Sequence, residues 1–161
     1  METIASFTVD HDRLEPGVYL SRQDQDPETG AVVTTFDLRF VRPNREPVLN
    51  TAELHTIEHL LATYFRNEPT WSSRTVYFGP MGCRTGCYLV LFGKWESLDL
   101  KELLISAFEF ICNFEGEIPG AKAKECGNYL DQNLGMAKYW AKRYLTEVLY
   151  NLSEKNTQYP A

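Results

Sequence analysis

Positive charge is scarce in this chain. Sixteen Lys and Arg stand against 22 Asp and Glu over 161 residues, a formal net charge of −6. A surface so poor in cations offers no track for a phosphate backbone and no patch for an anionic bilayer, so neither nucleic acid nor membrane is an expected partner. Long apolar runs are also missing: stretches such as Tyr88–Phe92 fall far short of the roughly 20 residues that span a bilayer. The start, Met1–Asp12, has neither the basic region nor the apolar centre of a signal peptide, and cytoplasmic residence is expected. No repeat, low-complexity tract or Pro/Gly/Ser linker divides the chain, so residues 1–161 are expected to form one domain. Cysteines number four and histidines three. A reduced compartment and a core of this size make a disulfide framework unnecessary, which leaves each cysteine as packing, metal ligand or reactive thiol.

What is present alternates and repeats in recognisable ways. From Gly30 to Arg42, Val32, Phe36, Leu38 and Phe40 fall on one side and Asp37 and Arg39 on the other, the pattern of a strand covered on one face, with Arg39 pointing away from the core. After Pro43–Pro47, Asn50 and Glu53 form a capping-box pair ahead of a helix over about Thr51–Arg66. Two further strands, Thr75–Gly79 and Tyr88–Trp95, flank the loop Pro80–Gly86, which places Cys83 on a connection. Ser97 or Asp99 is positioned to cap a second helix carrying Leu100, Leu103, Leu104, Ala107, Phe108, Ile111 and Phe114 at helical spacing, closed by Gly116 and Pro119. A third helix runs through Leu134, Ala137, Trp140, Tyr144, Leu145 and Val148. Its aromatic residues read as core or dimer surface. The sum is an α+β domain, a mostly antiparallel sheet packed against helices.

His55-Thr56-Ile57-Glu58-His59 is the segment that points to chemistry. At about 100° per residue, Leu54, Ile57, Leu60, Leu61, Tyr64 and Phe65 form one apolar side of the helix, while His55, Glu58 and His59 lie together along its border. Two imidazoles one turn apart can share an ion, and this inverted zinc motif sets a carboxylate beside it. A catalytic site needs a third ligand and an open position. A thiolate suits zinc or ferrous iron, and Cys126, in Lys124-Glu125-Cys126-Gly127, competes for that role with Cys83. Cys112 reads as a small buried hydrophobe, Cys87 is open, and Cys83 with Cys87 makes a weak metal pair because no second pair accompanies it.

These segments together resemble one family. His55-Thr56-Ile57-Glu58-His59, Pro80-Met81-Gly82-Cys83-Arg84-Thr85-Gly86, Lys124-Glu125-Cys126-Gly127, Phe36-Asp37-Leu38-Arg39-Phe40 and the start Ser6-Phe7 with Asp10-His11 are similar to the S-ribosylhomocysteine lyase (LuxS) family, in family order, from about Ser6 to about Tyr150. The resemblance implies a homodimer of small subunits with sites near the interface. It implies cleavage of S-ribosylhomocysteine to homocysteine and 4,5-dihydroxy-2,3-pentanedione, the autoinducer-2 precursor. Carried onto this sequence, it assigns His55, His59 and Cys126 to one divalent metal, Fe(II) in the active form with zinc or cobalt able to replace it. Cys83 and Glu58 take the proton transfers, and Ser6, His11 and Arg39 the sugar. Cys87 stands where the family often has an aromatic residue, which puts an extra thiol near the site.

The implied chemistry matches these residue types. The substrate's sulfur sits on the sugar carbon farthest from the aldehyde and cannot leave until two isomerisations have moved the carbonyl to acidify a neighbouring C–H, after which β-elimination expels it. A divalent ion stabilises the negative charge of each enediolate. Cys83 as a thiolate, favoured by the metal and by a cation such as Arg39, and Glu58 beside the ligands supply two proton carriers. No organic cofactor is needed. Two rival readings use the same motif: a metallopeptidase of the inverted HxxEH type, with Glu58 activating water and a distant glutamate as third ligand, and a closed four-ligand site that only holds the fold.

Overall fold

The computed structural model describes residues 1–160. Four strands, β1 (Gly17–Gln25), β2 (Val32–Arg39), β3 (Thr75–Pro80) and β4 (Gly86–Phe92), form one antiparallel sheet in the order β1-β2-β4-β3. Three helices, α1 (Thr51–Asn67), α2 (Lys101–Asn113) and α3 (Leu134–Glu147), complete the α+β architecture. Because side chains alternate along a strand, Val18, Phe36, Leu38, Phe78, Cys87, Leu89 and Leu91 all face the helices and join Leu54, Ile57, Leu60, Leu61 and Phe65 of α1 in a single core. No helix among the described residues is long and apolar enough to cross a membrane.

Local chemistry sets the helix starts. Asn50 and Glu53 close a reciprocal capping box on α1, and the Glu53 carboxylate also accepts from Trp140 Nε1 at 2.8 Å, which ties that helix start to α3. At α2 the expectation of Ser97 or Asp99 as the cap is corrected. A 3-10 turn over Ser97–Leu100 leads into the helix; Glu96 caps that turn with Asp99 answering from three positions on, Leu100 stands at the N-cap of α2 itself, and the buried Ser97 hydroxyl has no hydrogen-bond partner.

β1 has no counterpart in the sequence reading. Only its first half is buried, the second half runs into solvent as a hairpin arm, and a bulge between Leu20 and Arg22 shifts the phase of the side chains, so the alternation is too short to register. Arg39 requires a second correction. It points away from the core as expected, but that face is not open there: Arg39 is 3% exposed because the chain after α3 crosses the outer face of the sheet beside β1 and covers it. Gly17 permits this passage: a Cβ there would collide with the Asn156 carbonyl.

Candidate metal centre and the loop beside it

His55 and His59 stand one turn apart on α1 with ring centroids 4.5 Å apart and planes at 86°. Each ring is fixed from behind by the irregular segment between α2 and α3. His55 Nδ1 lies 2.8 Å from the Asp131 carbonyl and His59 Nδ1 lies 2.7 Å from that of Pro119. A carbonyl only accepts, so each Nδ1 carries the proton and each Nε2 keeps its lone pair for a ligand. Gly120 lets the segment approach this closely. Its φ is +72°, and a Cβ there would sit 3.1 Å from His59 Nδ1.

The same segment delivers the sulfur. Cys126 Sγ lies 3.4 Å from His55 Nε2 and accepts from the Asn128 amide at 3.4 Å. Thr56, buried between the two histidines in sequence, clasps the segment to the helix. Its hydroxyl lies 2.7 Å from Gln132 Oε1 and accepts from the Asn133 amide at 2.9 Å, and the Gln132 side chain reaches within 3.2 Å of His55 Nδ1.

The three donor atoms of His55, His59 and Cys126 all lie within 4.8 Å of one another. Donors bound tetrahedrally at zinc-type bond lengths sit about 3.5 Å apart, so the residues fit one divalent ion with little movement. Two imidazoles and a thiolate suit zinc or ferrous iron better than magnesium or calcium. Of the two competing thiols, Cys126 is the one that lies with the histidine donors in this group. No carboxylate joins the group among the described residues, and the arrangement does not favour the glutamate-ligated peptidase reading.

A cavity of about 330 Å³ opens beside this cluster, lined by His55, Glu58, Pro80, Arg84, Asn128 and Asp131 among others. Glu58 is half-buried on its wall. The loop between β3 and β4 forms the opposite wall. Arg84, at a left-handed φ of 60°, is held there by reciprocal bonds with Leu49: its carbonyl accepts from the Leu49 amide at 3.2 Å and its Nη1 donates to the Leu49 carbonyl at 3.1 Å. The neighbouring Cys83 is exposed and is turned toward the outer face of the sheet, with Sγ 3.1 Å from Thr85 Oγ1 and 4.0 Å from Arg39 Nη1.

Arg39 spends most of its donors inside the protein. Nε and Nη2 form a fork on Asp37 at 3.1 and 2.5 Å, and Nη1 donates to Thr85 Oγ1 at 2.6 Å. Burial works against its charge, but Asp37 and Cys83 outweigh it and hold the guanidinium protonated beyond its ordinary range. The sequence gives no local sign of the residue that completes this network, Tyr159, whose hydroxyl donates to Asp37 Oδ2 at 2.9 Å.

The other predicted residues divide. Ser6 is half-buried on the outer sheet face in a recess shared with Thr35, Tyr77 and Tyr88, and His11 Nδ1 bonds the Val9 carbonyl at 2.8 Å; neither lines the cavity that holds His55 and Glu58. Cys87 is fully buried on the core side of β4, where burial pushes its thiol well above the ordinary range. It is a core residue rather than an extra thiol at the site. Cys112 is half-buried on α2, and burial raises its thiol as well.

Comparison with known proteins agrees with this geometry. The family model described as S-ribosylhomocysteinase (LuxS) matches residues 4–155. The chain is similar to the S-ribosylhomocysteine lyases of Clostridium beijerinckii, 58% identical over 99% of both chains, and of Clostridium acetobutylicum, 57% identical over 99% of both. It is 53% identical to that of Desulfotalea psychrophila over the full length of each. With a histidine pair and a cysteine sulfur meeting beside a carboxylate-lined cavity and the match running nearly end to end, the chain belongs to the S-ribosylhomocysteine lyase family.

Proposed function

We infer that this chain is a metal-dependent carbon–sulfur lyase that cleaves S-ribosylhomocysteine to homocysteine and 4,5-dihydroxy-2,3-pentanedione. The observation that carries the inference is the convergence of His55, His59 and Cys126 donors within 4.8 Å beside a cavity walled by Glu58, in a member of that family. A divalent ion bound there, Fe(II) in the active form with zinc or cobalt as substitutes, supplies Lewis-acid stabilisation of the negative charge that builds on adjacent sugar oxygens.

The chain's own groups do the rest. Glu58, on a helix and beside the ligands, takes a proton from one sugar carbon and returns it to the next, which moves the carbonyl one position along the chain. Cys83, on the β3–β4 loop and turned toward Arg39 on the outer sheet face, serves the remaining carbons in the same way, and the β-elimination that follows breaks the C–S bond and releases homocysteine thiolate. The guanidinium of Arg39 stands beside the sulfur, with Nη1 4.0 Å from Sγ. Arg39 also orients the sugar through Nη1, which faces Cys83 and Thr85.

Ser6 and His11 lie outside the cavity of their own chain. We assign them to the sugar-binding wall of a second subunit's site, in a cytoplasmic homodimer. Phe7, 76% exposed beside Ser6, and the exposed Tyr77 and Phe92 on the outer sheet face are the apolar surface such a partner covers. The product is the autoinducer-2 precursor, and the reaction also returns homocysteine to methionine metabolism.

Free-thiol release from S-ribosylhomocysteine by anaerobically purified, metal-loaded protein tests the reading. Release is expected that is lost in Cys83→Ala and after chelation. Peptide hydrolysis in its place, with metal retained in Cys126→Ala, would move the assignment to a peptidase.

A further inference from the structure

The strongest unassigned feature is the contact between the end of the chain and the thiol loop. Tyr159 lies 122 residues beyond Asp37, yet its ring stacks on Tyr19 with centroids 4.7 Å apart and planes at 13°, and its hydroxyl donates to Asp37 Oδ2 at 2.9 Å. That oxygen is the one already gripped by Arg39 Nη2. Asp37 therefore has three donors: two from the Arg39 fork and one from Tyr159. On the guanidinium side the pair is anchored by the bond from Nη1 to Thr85 Oγ1 at 2.6 Å; on the carboxylate side the fork has no anchor of its own. Tyr159, from a distant part of the chain, supplies that second anchor at Asp37 Oδ2.

The consequence reaches Cys83. With the fork fixed, the remaining guanidinium nitrogen, Nη1, is aimed at Thr85 Oγ1 and at Cys83 Sγ. Covering matters as much as aiming. The side chains of Asp37 and Arg39 are only 2% and 4% exposed, so the charge that faces the exposed Cys83 is held in one place by buried partners. Burial and the adjoining Asp37 keep the Tyr159 hydroxyl protonated far above its ordinary range, so its proton stays available to donate to Asp37.

We propose that Tyr159 is a positioning residue for Cys83, acting through Asp37 and Arg39. The proposal rests on the lyase reading for the role of Cys83, but the coupling itself is a property of the fold and is measurable without substrate. Tyr159→Phe removes the hydroxyl and keeps the stack on Tyr19; Tyr159→Ala removes both.

The test alkylates metal-loaded, full-length protein with iodoacetamide at neutral pH and follows each cysteine separately by mass spectrometry. Loss of one hydrogen bond to a charged pair predicts alkylation of Cys83 about threefold to tenfold slower in Tyr159→Phe, with Tyr159→Ala slower still. Cys112, distant on α2, serves as the internal control and keeps its wild-type rate. In thiol release from S-ribosylhomocysteine, Tyr159→Phe is expected to lower kcat by a similar factor with KM within about twofold. Wild-type alkylation of Cys83 in Tyr159→Phe overturns the proposal. So does an equal change at Cys112, which would mean general loosening, and so does a raised KM at unchanged kcat, which would put Tyr159 in sugar binding alone. A wild-type protein that releases no thiol counts against the lyase reading, and the alkylation rates then decide the role of Tyr159 by themselves.

Discussion

Two polar clusters flank the β3–β4 loop, and they are built on opposite principles. On the helix side, His55, His59 and Cys126 have their backs secured by the Asp131 and Pro119 carbonyls and the Asn128 amide, while two imidazole lone pairs and a sulfur converge on shared space. On the outer sheet face, Asp37, Arg39, Thr85 and Tyr159 spend their capacity on one another, and only one guanidinium nitrogen reaches past them toward Cys83. The first cluster is arranged to accept something the chain does not contain. The second is arranged to hold one thiol in place. A reaction that needs both a Lewis acid and a mobile proton is served by putting one on each side of a loop whose own conformation is fixed by Arg84 and Leu49.

If that contrast is right, the two clusters fail differently. Cys126→Ala takes away one of three donors, and the protein purified anaerobically is expected to hold less than about a tenth of the wild-type metal, read by elemental analysis, with the fold intact. Asp37→Asn should show the reverse. It leaves Arg39 buried without its counter-charge, at a cost of about 3 kcal/mol in a urea melt, while the metal content stays at the wild-type level.

Smaller effects sharpen the comparison. Thr56→Val keeps the shape of the side chain but cuts the clasp to Gln132 and Asn133, and metal affinity measured against a chelator should fall about tenfold. Alkali should act on the sheet before it acts on the metal cluster. Tyr19 is pushed up to about 12, chiefly by burial and then by Asp37 and Glu15, and Tyr144 and Cys87 are raised by burial as well. In each the folded chain keeps a proton that the unfolded chain releases near 10 for tyrosine and 9 for cysteine. The stability they contribute is therefore whole below about pH 9 and drains as the pH climbs toward 12. Thermal melts across that range should show Tm falling steadily, and a Tm that stays flat to pH 12 would mean these hydroxyls are not held as described.

The two clusters also differ in how far they were legible in the sequence. The histidine pair and Glu58 could be read directly because they share a helix, and helical spacing is a local property of the chain. Cys126 could be narrowed to one of two thiols but not chosen, since its place depends on how an irregular segment folds back through Gly120 and Thr56. The sheet-face cluster was hidden. Arg39 alternates with apolar neighbours just as a solvent-facing strand residue does, and nothing within 40 residues of it indicates that Tyr159 will cover it. β1 escaped for a related reason, a bulge and a polar outer half that break a period-two pattern. Local periodicity shows where a side chain points; it says nothing about which distant segment comes to lie over it.

The most direct test of an open, substrate-accepting metal cluster is the visible spectrum of the cobalt-substituted protein as S-ribosylhomocysteine is added. A three-ligand site with an available position predicts cobalt bands that shift in intensity and wavelength on titration with substrate and stay unchanged with a control peptide. Bands that ignore the substrate at saturating concentration would show a closed structural site, and would contradict the account.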